Sequence, residues 1–327
     1  MRMNWRSLIA GTLAAIGVCT GAMAQDYPNR PVKLIVGYVP GPTGPDYAGR
    51  VMAEALTGIL GQPVIVENKA GAGGTLATAF VAKSPPDGYT LLVGETGQLE
   101  IAPALNKSLP YNPVTDLTPL GMLTDGAGIV IVSNAKTTNI RSLADLIREA
   151  KAHPGKLTYG SAGIGSIHHL IMETFKDAVG IDVTHIPYKG GGQAVPGFLG
   201  GEVHLLVAAM QTVRPHVQRG NAYLLGSTGQ DRISVAPDLP AIGETVKGFN
   251  LESQIGILGP AGMPPEVVDK LSKALKTALD NPEVRQKLSA EGTRKIRWTT
   301  PAEYGEIIRG NLPKYERAVR LAKITPQ

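Results

Sequence analysis

The stretch 32–50, VKLIVGYVPGPTGPDYAGR, constrains the fold more than any other part of the chain. Residues 32–36 form a short apolar run of strand type, and residues 37–45 hold three prolines and three glycines. Asp46 then opens a helical pattern continued by Arg50, Val51 and Leu56. Strand, loop and helix N-terminus in that order can hold an anion without a cationic side chain. First-turn amides have no partner inside their helix, and the helix dipole places partial positive charge there. The stretch reads as one half of a ligand clamp, with Tyr38, Pro42, Thr43 and Gly44 as its contacts.

Similar units follow. Segments 63–68 (PVIVEN) and 90–94 (TLLVG) read as strands, with a helical segment after Gly71-Ala72-Gly73-Gly74 between them. Strand-helix-strand-helix-strand order implies right-handed crossovers and a mostly parallel sheet. A second unit starts near Thr124, with strands expected at 128–133, 157–160, 182–186 and 203–208. Its helices are expected at 142–152, from Ser166 to about Ala178, and around 194–199. Segments 223–226 and 256–258 are expected to return as strands to the first unit. Helices at 266–279 and 282–291 follow, then one at 301–322 interrupted near Pro313. The expected fold class is α/β: two domains, each a mostly parallel sheet flanked by helices, with the ligand cleft at the hinge. Domain 1 takes residues 25–123 plus 227–327 and domain 2 takes 124–226.

Residues 1–24 read as a signal peptide. Arg2 and Arg6 precede an apolar segment, and Ala22-Met23-Ala24 precedes a cut ahead of Gln25. The one cysteine, Cys19, lies in this leader, and Val18 before it disfavours a lipid anchor. The mature chain would carry no disulfide, thiolate nucleophile or cysteine metal site, and export without disulfides fits a bacterial periplasm. The formal net charge of +5 is spread along the chain, with no block that reads as a nucleic-acid surface.

The segment YGSAGIGS at 159–166 repeats the logic of the first loop. Ser161, Ala162, Gly163 and Ser166 are candidate contacts; the alternative is that Ser166 merely caps its helix. Asp46 either receives an amine or caps its helix and stiffens the loop. Gly71-Ala72-Gly73-Gly74 invites a dinucleotide reading but lacks the G-x-G-x-x-G spacing, and tight helix-on-sheet packing explains the glycines as well. Thr96 and Gln98 follow the third strand, Tyr188 to Gly190 follow the strand at 182–186, and Met210 follows the strand at 203–208. All sit at carboxyl ends, where ligands of open α/β sheets bind. His168 and His169 point apart on a helix; His169 is a secondary contact, with capping or solvation as the alternative. No G-x-S-x-G elbow, H-E-x-x-H or P-loop occurs, so no catalytic residue, metal site or cofactor is expected.

Taken together, the leader, PVKLIV with its Pro/Gly loop and Asp46-x-x-x-Arg50, VENKAGAGGT, PDGYTLL, YNPVTDLTP, YGSAGIGS, IPYKGGGQA, LGGEVHLL, DLPAIGE and GPAGMPPEVV resemble the periplasmic receptors of the tripartite tricarboxylate transporter family, the Bug type. The resemblance covers nearly the whole mature chain. It implies a type II-like periplasmic binding fold and a non-catalytic role, in which a carboxylated solute is held by amides, hydroxyls and waters of the two loops and passed to a permease of one large and one small membrane subunit. In residue terms those loops are 41–45 and 161–166. The first loop departs from the family's Pro-Gly-Gly-x-x-Asp, being one residue longer and richer in proline, and Gln254 stands where a tryptophan is common.

The expected function is that of a soluble, monomeric periplasmic receptor for a small organic carboxylate, an aliphatic or aromatic dicarboxylate, closing by hinge motion. An exported α/β hydrolase-like enzyme is the alternative. A receptor that feeds a signalling kinase is a third reading.

Overall fold

The computed structural model describes residues 27–41, 44–126, 128–289 and 295–326. The expected leader, Pro42 and Thr43 lie outside the described residues. Strands β1 (Val32–Val36), β2 (Val64–Asn68), β3 (Thr90–Glu95) and β4 (Leu117–Asp125) belong to a first sheet. A second sheet holds β5 (Ile129–Asn134), β6 (Thr158–Ser161), β7 (Thr184–Pro187), β8 (Leu205–Ala209) and β9 (Ala222–Ser227). The chain then returns to the first with β10 (Gln254–Pro260) and β11 (Lys295–Ile296). The orders are β11-β4-β10-β3-β1-β2 and β7-β6-β8-β5-β9.

Parallel pairing joins β1 to β2 and β3, and β6 to β7 and β8. The strands that carry the chain across, β5 and β10, run antiparallel to their neighbours, so both sheets are mixed. The expected return of 223–226 to the first unit is corrected: β9 pairs with β5, Val130 opposite Ser227, and closes the edge of the second sheet.

Near-continuous apolar runs suit strands covered on both faces. On one face of the first sheet Val32, Leu34, Val36, Leu91 and Val93 pack with Met52 and Leu56 of helix Gly44–Leu60 and with Leu271 and Leu275 of helix Pro265–Asp280. On the other, Ile35, Leu92 and Leu258 meet helix Thr75–Ala82 together with Tyr304 and Ile308. The second sheet is sandwiched in the same way. Ile131, Tyr159 and Leu205 face helices Leu143–Ala152 and Ile167–Val179, while Val130, Val132 and Leu206 face helices Gly191–Gly200 and Met210–Gln218.

The helix Pro301–Leu321 begins with a capping box between Thr300 and Glu303 and continues through Pro313, where an interruption was expected. Its two halves are anchored in different cores, Tyr304 and Ile308 in the first lobe and Tyr315, Ala318 and Val319 in the second. That packing holds the backbone helical across the donor the proline removes. Ile242, Phe249 and Leu251 also pack in the second lobe, beyond the boundary at 226.

A π-helical turn, Gly97–Ile101, follows β3 and carries Glu100, which is 1% exposed. One Glu100 oxygen accepts from Asn311 Nδ2 at 3.2 Å and the other has no partner. Burial pushes this carboxyl up to about 8, against the opposing pull of Asn311 and Lys314.

Two outcomes follow from this packing. A Cβ at Gly256 would sit 2.4 Å from the Tyr304 ring, so Gly256→Ala is expected to cost about 1–3 kcal/mol, read as a lower denaturant midpoint. Because Glu100 binds its proton more tightly folded than unfolded, its contribution to stability is complete below pH 4.5 and is lost as pH rises toward about 8. Glu100→Gln should therefore gain stability relative to wild type progressively across that window; equal slopes in paired denaturation curves would contradict the assignment.

Candidate functional site

A cleft of about 650 Å³ opens between the sheets, at the carboxyl ends of β1, β3 and β6. From the first lobe it is lined by Tyr38, Ala72, Gly73, Thr75, Glu95 and Gly97; from the second by Ala162, Ile164, Gly165, Ser166, Ile167 and His168. Ile101, Leu105 and Leu109 supply an apolar surface, and Ser253 and Ile324 complete the wall. No lysine or arginine lines it among the described residues.

The start of helix Ile167–Val179 is aimed at this space. Ser166 is its N-cap, with Oγ accepting from His169 N at 3.3 Å and donating to Gly163 O at 2.7 Å. That bond satisfies the third-residue amide. The amides of Ile167 and His168 have no acceptor among the described residues. His168 adds a side chain whose Nδ1 is buried without a partner, and burial lowers its pKa to about 4, so the ring is neutral.

The opposite wall is built by the Gly71 to Gly74 loop, ahead of helix Thr75–Ala82, whose N-cap Gly74 makes no side-chain cap. Gly74 takes φ +91, and a Cβ there would meet Gln98 Oε1 at 2.1 Å. A Cβ on Gly37 would meet Gly74 Cα at 2.5 Å. These glycines let the loop lie against β1 and bring backbone to the cleft.

Several expected contacts are placed elsewhere. Asp46, 2% exposed, accepts from Gly41 N at 3.0 Å, Arg50 Nε at 3.0 Å and Asn68 Nδ2 at 2.7 Å. Burial pushes its carboxyl up, but those donors together outweigh burial and hold it below the usual range. It stiffens the first loop and occupies the Gly41 amide; neither Asp46 nor Gly44 lines the cleft. Thr96 is buried and accepts from Gln254 N at 2.9 Å, tying β3 to β10, and Gln98 is buried with Nε2 donating to Val93 O at 3.3 Å. Met210 lies in the apolar core beneath β8, because its helix begins directly after that strand. Tyr188 is turned to Glu202, 2.9 Å away.

Behind the second loop, Ser161 Oγ lies 2.7 Å from His185 Nε2 and accepts from Gly163 N at 3.1 Å. The His169 ring stacks on that of His185 at 3.9 Å, and its Nδ1 accepts from Gly165 N at 3.2 Å. Ser161, Gly163 and His169 thus support the loop, while its Ala162 and Ser166 line the cleft. The Ser161 to His185 pair has a nucleophile-to-base distance, but Ser161 is 0% exposed and does not line the cleft.

Sequence reasoning passed over Glu95 as a ligand contact, weighed His168 only as one of an adjacent pair of which one could touch a ligand, and weighed the Gly71 to Gly74 loop only as a dinucleotide motif. For the loop the signal was present: a strand, a glycine-rich turn and a helix start in the same order as in the two loops that were chosen.

The family model for receptors of the tripartite tricarboxylate transporter matches residues 48–319. Protein BugT of Bordetella pertussis is 34% identical over 323 residues, covering 97% of this chain and 98% of BugT. Among solved structures, the periplasmic binding protein BugD gives a TM-score of 0.75 at 31% identity, over 92% of this chain and 100% of that one. An R. palustris protein with adipate gives 0.78 at 29% identity, again over 92% and 100%. A match running from the first long helix into the helix that joins both lobes covers most of the chain, and the chain belongs to the receptors of the tripartite tricarboxylate transporter family.

Proposed function

We propose that this receptor captures a small organic carboxylate in the periplasm, encloses it by hinge motion of the two lobes, and passes it unchanged to the permease subunits of a tripartite transporter. It acts as a monomer, exported by the leader at 1–24. We assign residues 124–226 to the second domain and add to it 242–251 and the end of the last helix, whose side chains pack in its core.

The observation that carries this reading is the pair of unpartnered amides on Ile167 and His168, facing a cleft that lacks lysine and arginine. An anion there is held by oriented backbone dipoles, and its hydrocarbon part lies on Ile101, Leu105 and Leu109. Adipate on the R. palustris relative, two carboxylates on an aliphatic chain, has the chemistry such a site takes. The ligand leaves as it came, in keeping with a receptor family.

A thermal-shift screen of the purified protein should give positive shifts with carboxylates and none with sugars or cationic amines. A ligand at about 100 times its Kd adds about 2.7 kcal/mol. Ile167→Pro removes one cleft amide at a position where proline fits, since it is the first helical residue and Ser166 before it is extended at φ −64, ψ 153. Its affinity for the acids found should fall about tenfold relative to Ile167→Ala, which loses only the side chain. Equal affinities in the two variants would refute amide binding.

A further inference from the structure

The carboxylate of Glu95 has no obvious place in a site built for anions. It ends β3 in the cleft wall, half-buried, in the first lobe. Ser253 Oγ donates to its Oε1 at 2.8 Å, and the nearby Tyr38 phenol, held protonated by burial and by this neighbour, donates to Gly73 O at 3.3 Å. No arginine, lysine or histidine pairs with Glu95 among the described residues. A carboxylate offers about four acceptor positions, so the Ser253 donor leaves it with capacity toward the cleft. Ser253 belongs to the segment that returns from the second lobe and orients the carboxylate from that side.

A ligand that displaces water from this carboxylate without replacing its hydrogen bonds bears the cost of desolvating it. A plain dicarboxylate brings only acceptors and would also meet a like charge. An ammonium or hydroxyl group on the ligand supplies the missing donor. Building on the carboxylate-receptor reading above, we infer that Glu95 is a specificity-determining residue, selecting acids that carry a hydrogen-bond donor, an ammonium above all, beside their carboxylates.

The two ends of the site then divide the work. The Ile167 and His168 amides take a carboxylate from one side, and Glu95, aligned by Ser253, takes the donor from the other. A ligand satisfying only one end leaves charged or dipolar groups of the other without partners, which is how a site discriminates between acids of equal length.

The test is calorimetric titration of wild type, Glu95→Gln and Ser253→Ala with matched acids: succinate, malate and aspartate; glutarate and glutamate; adipate and 2-aminoadipate; and terephthalate as an aromatic acid without a donor. In wild type the ammonium-bearing member of each series that binds should exceed its parent by about tenfold to a hundredfold, the range for a hydrogen bond to a charged group. Glu95→Gln, with its fold checked by circular dichroism, should erase most of that ratio by weakening the amino acids and strengthening the parent acids. Ser253→Ala should reduce the ratio in the same direction by less. Parent acids or terephthalate binding wild type as tightly as donor-bearing acids, or a ratio unchanged in Glu95→Gln, would overturn this inference and leave the carboxylate receptor standing. Silence across the whole panel would overturn both.

Discussion

An anion site without cations depends on where backbone donors are left unpaired. Here the decisive constraint is the start of helix Ile167–Val179, where Ser166 satisfies the His169 amide and leaves those of Ile167 and His168 facing the cleft. A helix dipole loses effect within a turn, so the loop before the helix has to be held to a fraction of an ångström. That is the role of the buried ring stack behind it, His169 on His185, and of the Ser161 hydroxyl and His169 Nδ1 that accept from the Gly163 and Gly165 amides. Burial lowers the pKa of both rings, and His169 further disfavours protonation of His185.

The first lobe solves the same problem differently. Asp46 draws Gly41, Arg50 and Asn68 into one buried knot and so stabilises the loop after β1 while keeping its own charge out of the cleft. Glycines then let the Gly71 to Gly74 loop close over that region and form the wall. The two sides are unequal in charge: one offers unpaired amides, the other a carboxylate at Glu95.

Much of the architecture was legible in the chain because β1, β3 and β8 are apolar runs flanked by glycine or proline, and Ser142 and Ser166 sit where helix caps belong. Strand β4 was not, since LTPLGMLTD carries a proline, a glycine and three polar residues and owes its extended form to pairing with β10. The site was half legible. Strand-loop-helix order marked the region of Tyr38, Ala162 and Ser166, but it could not tell which side chains turn outward: Ser161, Thr96 and Met210 follow the same rule and are drawn inward by His185, Gln254 and the apolar layer under β8. Whether a glycine run packs a helix or carries a ligand is likewise decided by what lies opposite it, which no local spacing encodes.

The helix Pro301–Leu321 has a mechanical consequence. A rod rooted in both cores, by Tyr304 and Ile308 at one end and Tyr315 and Val319 at the other, prevents the lobes from swinging as freely jointed bodies. Any change in their relative angle must flex that rod or slide it, and Pro313 lies between the two anchorages, where one rung of the helical ladder is already missing. The receptor is in this respect a pair of tongs with a leaf spring across the joint, and the travel of its jaws is set by the compliance of about one helical turn.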